Sequence, residues 1–281
     1  MSPAHAGRIR DFIRAVGTGP VFVHSDAFRV AQLVSRTRDR ESYLDAHLAL
    51  LVDAAAGRPL WTPAFNYDFP RTAVFDIRET PAQLGPLPER FRLFRSAWRT
   101  AVPIFSVAGT GPEPLIAWGP DTDPFGGDSI FARLVAEDGV ILYYGDTFHY
   151  NTIVHYAERS FGPAYRYDKV FPGRVTRADG TASDGTLVYH VRPLDKRVEY
   201  DWPGILSRAL AAGACVRSAE HPQIFAAGAG TLVRFLVEEM KDEPLGLLDD
   251  ETRAWVGPAL EKLGRRFVIE DFESVPAGHT L

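Results

Sequence analysis

Apolar and polar positions alternate along the first half of the chain in the manner of successive βα units. Residues 8–16 (RIRDFIRAV) read as a short helix that ends at the Gly17 to Pro20 turn, and Val21, Phe22 and Val23 read as a buried strand. That strand delivers His24, Ser25 and Asp26 to the start of a new helical pattern, where free backbone N–H groups can hold an anion. Over 41–56, Leu44, Leu48, Leu51, Val52 and Ala55 share one helical face, with Gly57 as the stop, and Leu60 and Trp61 begin the next extended segment. From Pro59 to Pro124 the chain is rich in Pro, Gly, aromatics and Arg, with few helical periods longer than two turns, as expected of segments that line or cover a site. Asp128 or Ser129 caps a helix (IFARLVAE), Asp138 and Gly139 turn the chain, and VILYYG is an apolar strand. Further on, 186–192 alternate as a strand, and Ile205 to Ala212 is a helix closed by Gly213. Strands near Cys215 and Ile224 and a helix from Thr231 to Met240 complete the pattern. The expected fold class is α/β, a central mixed sheet flanked by helices, built as a single elaborated domain over residues 1–281. A boundary in the Thr176 to Gly185 loop is the alternative, although that stretch looks more like a hairpin tip.

Composition narrows the partners. The 281 residues carry 31 Lys and Arg against 36 Asp and Glu, and a net charge of −5 speaks against a nucleic-acid binder held by phosphate neutralisation. Cys215 is the only cysteine, which excludes an intrachain disulfide and a CxxC metal clip and fits a reducing cytoplasm. The N-terminal stretch is broken by Arg8, Arg10, Asp11 and Arg14, unlike a signal peptide, and nothing is long and apolar enough to span a membrane. The expected location is cytoplasmic.

The sharpest chemistry lies in GDTFHYNTIVHYAERSFGPAYRYDKVFPG, residues 145–173. Asn151 or Thr152 is a good N-cap, which puts His155 in the first turn of a helix and Glu158 three residues on along the same face. The positive end of a helix disfavours an imidazolium and keeps the ring neutral, as a general base requires. Glu158 can orient that ring or stabilise its charged form, two preferences that pull its pKa in opposite directions. The plain alternative is a surface ion pair. A metal site would need further ligands from His149, His190 or His221, and with no HExxH spacing no metal is called for. Gly126 and Gly127 lack the phosphate-loop spacings and read as a turn into a helix.

NTIVHYAE followed by YRYDKVFPG resembles the histidine motif of the aminoglycoside 3-N-acetyltransferase, or antibiotic N-acetyltransferase, superfamily. The resemblance runs in order through HSD at 24–26, FDIRETPAQLGPLPERFR at 75–92, RTAVPIFSVAGTG at 99–111 and FGGDSIFARL at 125–134. It implies that fold, and acyl transfer from the thioester of acetyl-CoA or another acyl-CoA to an amine, with His155 as general base and Glu158 as its acidic partner. Direct transfer is expected, since Cys215 sits in an apolar context. Coenzyme A phosphates and amides call for helix-start N–H groups, hydroxyls and cations. The resemblance carries this role to Ser25, Arg99, Ser106 and Val107, with Thr110 and Gly111 beside them. The plain alternatives are a helix cap for Ser25 and a solvated surface charge for Arg99.

The acceptor side departs from the resistance enzymes, which usually carry histidines where this chain has Val102 and Phe105. It is also aromatic, with Trp61, Phe65, Tyr67, Phe69, Trp98, Phe148 and Tyr150, and Arg166, Lys169, Arg192, Lys196 and Arg197 suit an anionic acceptor. Carboxylates at Asp68, Asp121, Asp123 and Asp128 are scattered. Tyr67, Asp68, Tyr150, Asn151, Arg166 and Lys169 are the candidate acceptor contacts. The expected acceptor is an amino sugar linked to a nucleotide, with an aminoglycoside as the alternative. A catalytically silent acyl-CoA-binding protein and a hydrolase using His155 with Ser160 or another hydroxyl are the readings from other classes. A homodimer is among the expected assemblies, with neither nucleic acid nor membrane as partner.

Overall fold

The computed structural model describes residues 3–94 and 96–273. It begins with helix α1 (Pro3–Arg14), strand β1 (Val21–Ser25), a 3-10 segment (Ala27–Leu33), α2 (Arg40–Ala55) and β2 (Leu60–Pro63). Short pieces follow: α3 (Phe69–Thr72), β3 (Val74–Asp76), α4 (Pro86–Arg92), β4 (Trp98–Arg99) and β5 (Val107–Gly109). Then come α5 (Ile130–Ala136), β6 (Val140–Tyr144), α6 (Ile153–Phe161) and the long strands β7 (Tyr167–Thr176) and β8 (Ala182–Val191). The chain closes with α7 (Trp202–Ala211), β9 (Val216–Arg217), β10 (Ile224–Gly228), α8 (Ala229–Asp242) and α9 (Asp250–Leu263).

Seven strands form a mixed sheet in the order β4-β5-β2-β1-β6-β10-β9. β1 lies parallel to both β2 and β6, in register from Val21↔Val140 to Ser25↔Tyr144, and the outer strands are antiparallel. All five residues of β6 are buried because the sheet is covered on both faces, so the strand reads as a continuous apolar run. Alternation then divides the core: Phe22, Ile141 and Tyr143 face α5, α6 and α8, while Val21, Val23, Val140 and Leu142 face α1 and α2. Ser129 caps α5 by accepting from Ala132 N–H.

A second sheet, β3-β7-β8, stands beside the first, and the Thr176 to Gly185 stretch is the tip of the β7–β8 hairpin. It carries a separate small core of Tyr165, Tyr167, Val191, Val198, Val256 and Phe267. Two of its parts are unannounced in the sequence pattern. β7 (YDKVFPGRVT) alternates exposed charge with half-buried positions and contains Pro172 and Gly173, while α9 buries only Thr252 and Val256 and carries Pro258 inside it.

Candidate functional site

The site forms where the C-terminal ends of the parallel strands meet the start of α6. Gly145 ends β6 at φ +105, and a Cβ there would lie 2.2 Å from Asp26 O, so only glycine lets the chain turn off so close to the end of β1. The loop is then clamped to His24. Thr147 Oγ1 donates to His24 O (2.9 Å), and Thr152 N–H donates to His24 Nε2 (3.4 Å). Burial, with His149 nearby, lowers the His24 pKa to about 3 and so keeps that nitrogen an acceptor. Thr152 is the N-cap residue but makes no side-chain cap bond. Asn151 is turned inward instead, with Oδ1 accepting from Tyr143 Oη (2.8 Å).

His155 is the third residue of α6 and its side chain is 22% exposed, whereas Glu158, one turn on, is completely buried. Their Nδ1···Oε2 separation is 3.3 Å. The carboxylate also accepts from Tyr165 Oη at Oε1 (2.8 Å) and from Tyr200 Oη at Oε2 (2.7 Å). Arg166 Nε lies 2.8 Å from Oε2, although its N–H has no hydrogen-bond alignment, so this contact is one of charge. Burial opposes ionisation of Glu158, but Arg166 and the bonds from His155 and Tyr200 outweigh it and hold the pKa at about 2. His155 is shifted below its ordinary value, first by burial and then by Arg166, against the opposing pull of Glu158. Nδ1 also lies 3.3 Å from Arg166 Nη2 and from Tyr200 Oη; with the ring proton on Nδ1 toward the carboxylate, which accepts only, Nε2 is the basic nitrogen.

Two cavities meet at this ring. One, of about 370 Å³, runs past His24, Ser25, Tyr150, Asn151 and Thr152; the other, of about 490 Å³, runs past Lys169, Phe171, Tyr189, Arg192 and Glu199. His155, Phe105, Tyr67 and Trp202 line both. Phe105 is aimed there by an unusual backbone: Ile104, a β-branched residue, holds φ +66, a conformation that costs about 1–3 kcal/mol and persists only where its surroundings impose it. Its carbonyl accepts from Asn66 N–H (3.1 Å).

Residues 52–240, more than half of the chain, match the family model described as aminoglycoside 3-N-acetyltransferase. The chain belongs to the aminoglycoside 3-N-acetyltransferase family. Within it, the chain is 32% identical over 120 residues to aminoglycoside N(3)-acetyltransferase VIII of Streptomyces fradiae; the match spans 41% of this chain and 41% of that relative. The fold is that of aminoglycoside acetyltransferase AAC(3)-Xa (TM-score 0.64, 22% identity, 84% of this chain and 92% of that one). It is also that of AAC-IIIb in a binary complex with CoASH (TM-score 0.68, 18% identity, 86% and 97%). Sisomicin-bound AAC-VIa is a third such structure (TM-score 0.64, 18% identity, 86% and 98%).

In this family member several expected site residues lie elsewhere. Arg99 is not a solvated surface charge: it is 4% exposed and donates to Ser106 Oγ (3.0 Å), Ala64 O (2.6 Å), Ile77 O (3.2 Å) and Thr80 O. Ser106 is fully buried and donates to Ala64 O (2.7 Å). Val107 spends both backbone groups on Thr100, whose Oγ1 accepts its N–H and whose N–H reaches its carbonyl (2.9 Å each). Thr110 only extends the β2–β5 pairing through Leu60, and Gly111 packs on Pro59. None of the five lines either cavity. Ser25 does; the cap of the 3-10 segment is Asp26, which accepts from Phe28 N–H.

On the acceptor side, Tyr67, Tyr150, Asn151, Arg166 and Lys169 line a cavity, whereas Asp68 lies outside both, holding Gln83 and Arg71. Trp61, Phe69 and Phe148 are core. Four of the five cations that suggested an anionic acceptor are matched by carboxylates, Arg166 by Glu158, Lys169 by Glu273, Arg192 by Glu199 (3.0 Å) and Arg197 by Asp249 (2.5 Å), while exposed Lys196 lies 4.0 Å from Asp195. Ser160 Oγ is bonded to Tyr156 O (2.8 Å) rather than to His155, so Ser160 is not paired with that ring as a hydrolase nucleophile. Burial pushes the Cys215 thiol up to about 12, the wrong direction for a nucleophile. Among the described residues no group of three or more His, Cys, Asp or Glu is placed to hold a metal, and no helix is long and apolar enough to cross a membrane. Sequence reasoning passed over Tyr165, Tyr189, Tyr200 and Trp202. Tyr165 stands next to Arg166 in the histidine motif, whereas Tyr200 and Trp202 carry no local signal.

Proposed function

We propose that the protein transfers an acyl group, acetyl in the simplest case, from acyl-CoA to an amine of an aminoglycoside-type acceptor, with His155 as general base. The observation that carries this reading is the position of His155 at the junction of two cavities, with Nδ1 turned to a buried carboxylate. The cavity past Ser25 and Asn151 suits the pantetheine arm. Asn151 Nδ2, a buried donor with no protein partner among the described residues, suits a carbonyl oxygen of the thioester end. The acceptor occupies the cavity past Tyr189 and Glu199, and Tyr67, Phe105 and Trp202 exclude water where the two meet.

The acyl-CoA supplies an activated thioester carbonyl. His155 Nε2 takes the proton of the attacking amine, Glu158 steadies the imidazolium across Nδ1, and the same proton leaves with the thiol as the C–S bond breaks. Nothing here requires an enzyme nucleophile. The expectation of a nucleotide-linked acceptor gives way, because the cations behind it that line the cavity, Arg166, Lys169 and Arg192, are neutralised by paired carboxylates and offer no free charge to a diphosphate. The named relatives, aminoglycoside acetyltransferases, favour the same choice.

Thiol release from acetyl-CoA, measured without amine, with gentamicin- or kanamycin-type acceptors and with nucleotide-linked amino sugars, tests the reading. Release dependent on the aminoglycosides is expected. Amine-independent release means a hydrolase, turnover of the nucleotide sugars alone restores the other acceptor, and no release with any of them removes the enzyme.

A further inference from the structure

Arg166 is 2% exposed, and its guanidinium is spent entirely inside the protein. Nη1 donates to His190 O (2.8 Å), Nη2 donates to Tyr200 Oη (2.5 Å) and lies 3.3 Å from His155 Nδ1, and Nε faces Glu158 at 2.8 Å. These contacts are all to protein atoms. We propose that Arg166 is a positioning residue whose charge sets the protonation state of His155: by compensating Glu158 inside the fold, it lets the imidazole remain a neutral base. The inference rests on the reading of His155 as the base.

Local neutrality is the physical reason. Glu158 is buried and ionised, so it needs one positive charge beside it. Arg166 supplies that charge permanently, and with the ring neutral the trio sums to zero. Without Arg166 the carboxylate can be compensated only by a proton. The imidazole, 3.3 Å away and partly exposed, takes it more readily than the carboxyl, because its ordinary pKa of 6.5 lies above the 4.5 of the acid. The base would then be consumed before substrate arrives.

The other groups facing the ring cannot replace Arg166. Tyr165, Tyr189 and Tyr200 are phenols that burial pushes up, so they stay neutral at pH 7. Arg192, beyond β8, is 40% exposed and held by Glu199. Arg159, the next residue of α6, is held between Asp123 and Asp168 (2.5 and 2.6 Å). Burial, with Arg166 adding to it, lowers the His190 pKa to about 4, so that ring carries no charge.

The test is a titration of the His155 imidazole by NMR, alongside the pH dependence of amine-dependent thiol release. In Arg166→Met the midpoint and the acidic limb of the rate profile are both expected to rise by about 1–3 pH units, the usual effect of losing an opposing cation at this distance. Arg166→Lys should recover most of that shift, and Arg166→Met combined with Glu158→Gln should abolish it. An unmoved midpoint in Arg166→Met, even with lowered turnover, overturns the proposal and leaves a structural role; so does an equal shift in the lysine variant or a shift that survives Glu158→Gln. Should Arg166→Met fail to fold, Glu158→Gln alone decides: it leaves Arg166 unopposed and must lower the midpoint, and a midpoint that stays or rises overturns the proposal. A wild type without amine-dependent release sinks the transferase reading, while the titration midpoints still test the coupling of Arg166 to His155 on their own.

Discussion

Two arginines looked alike in the sequence as ligands for substrate, and both lie inside the protein doing different things. Arg99 is surrounded by neutral oxygens from residues 64, 77, 80 and 106 and lies over the Phe75 ring (4.6 Å). It makes no ion pair among the described residues, and its pKa is lowered to about 9, mainly by burial and then by Arg92. Arg166 is buried as deeply but faces a carboxylate, which raises its pKa well above the ordinary value despite the burial. A buried cation bonded to carbonyls ties chain segments together; one bonded to a carboxylate that also touches a histidine controls a titration.

The largest effect that would sharpen this contrast is on stability. Arg99→Met orphans the carbonyls of Ile77 and Thr80, since Ala64 O and Ser106 Oγ still bond each other, and at about 1–3 kcal/mol for each unsatisfied buried group it should cost about 3 kcal/mol. For a chain of this length that is a fall in Tm of about 6 °C or more, with the His155 titration unmoved. A Tm within a degree of wild type would show that Arg99 ties nothing together. Next comes Glu158→Gln, which removes the group that steadies the imidazolium and should slow turnover about 10- to 100-fold, or about 1.4–2.7 kcal/mol. Because Glu158 raises and Arg166 lowers the His155 pKa, its acidic limb should move to lower pH. Movement to higher pH would break the assignment of opposing roles.

Burial without a partner charge also appears in His24, His47 and His190, with pKa values lowered to about 3, 4 and 4 from 6.5. The unfolded chain takes up their protons first, so stability is full above pH 6.5 and is lost as pH falls toward those values. Urea melts at pH 7 and pH 5 should differ by about 1–2 kcal/mol per histidine, and His24→Gln should flatten the slope by its share. A stability that rises on acidification would contradict the buried neutral rings. The smallest expected effect belongs to Asp68, whose side chain is 47% exposed and lies outside both cavities. Asp68→Asn should change stability by less than about 0.5 kcal/mol and turnover by less than about twofold. A larger loss of turnover would restore it as an acceptor contact.

The parallel core was readable in advance because β1, β2 and β6 are short apolar runs bounded by turn signals, and the His155–Glu158 spacing announced itself on a helix. The charge around that pair was not readable. Arg166 and Tyr200 are 34 residues apart and meet at 2.5 Å only because β7 and β8 fold into a hairpin, of which only β8 carried a strand pattern. The enclosure of Arg99 was hidden for the same reason, since nothing local in RTAVPIFSVAG distinguishes an arginine that will be enclosed by three carbonyls from one in water. Pairing of cations with distant carboxylates, Arg197 with Asp249 and Arg192 with Glu199, is likewise a property of the fold.

The central claim is that His155 acts as the base of an acyl transfer and holds no part of the coenzyme site together. His155→Ala tests it most directly, with acetyl-CoA binding by calorimetry and amine-dependent thiol release measured on the same preparation. Binding within about twofold of wild type with turnover lowered about 100- to 10,000-fold is the predicted result; turnover undiminished in that variant would contradict it.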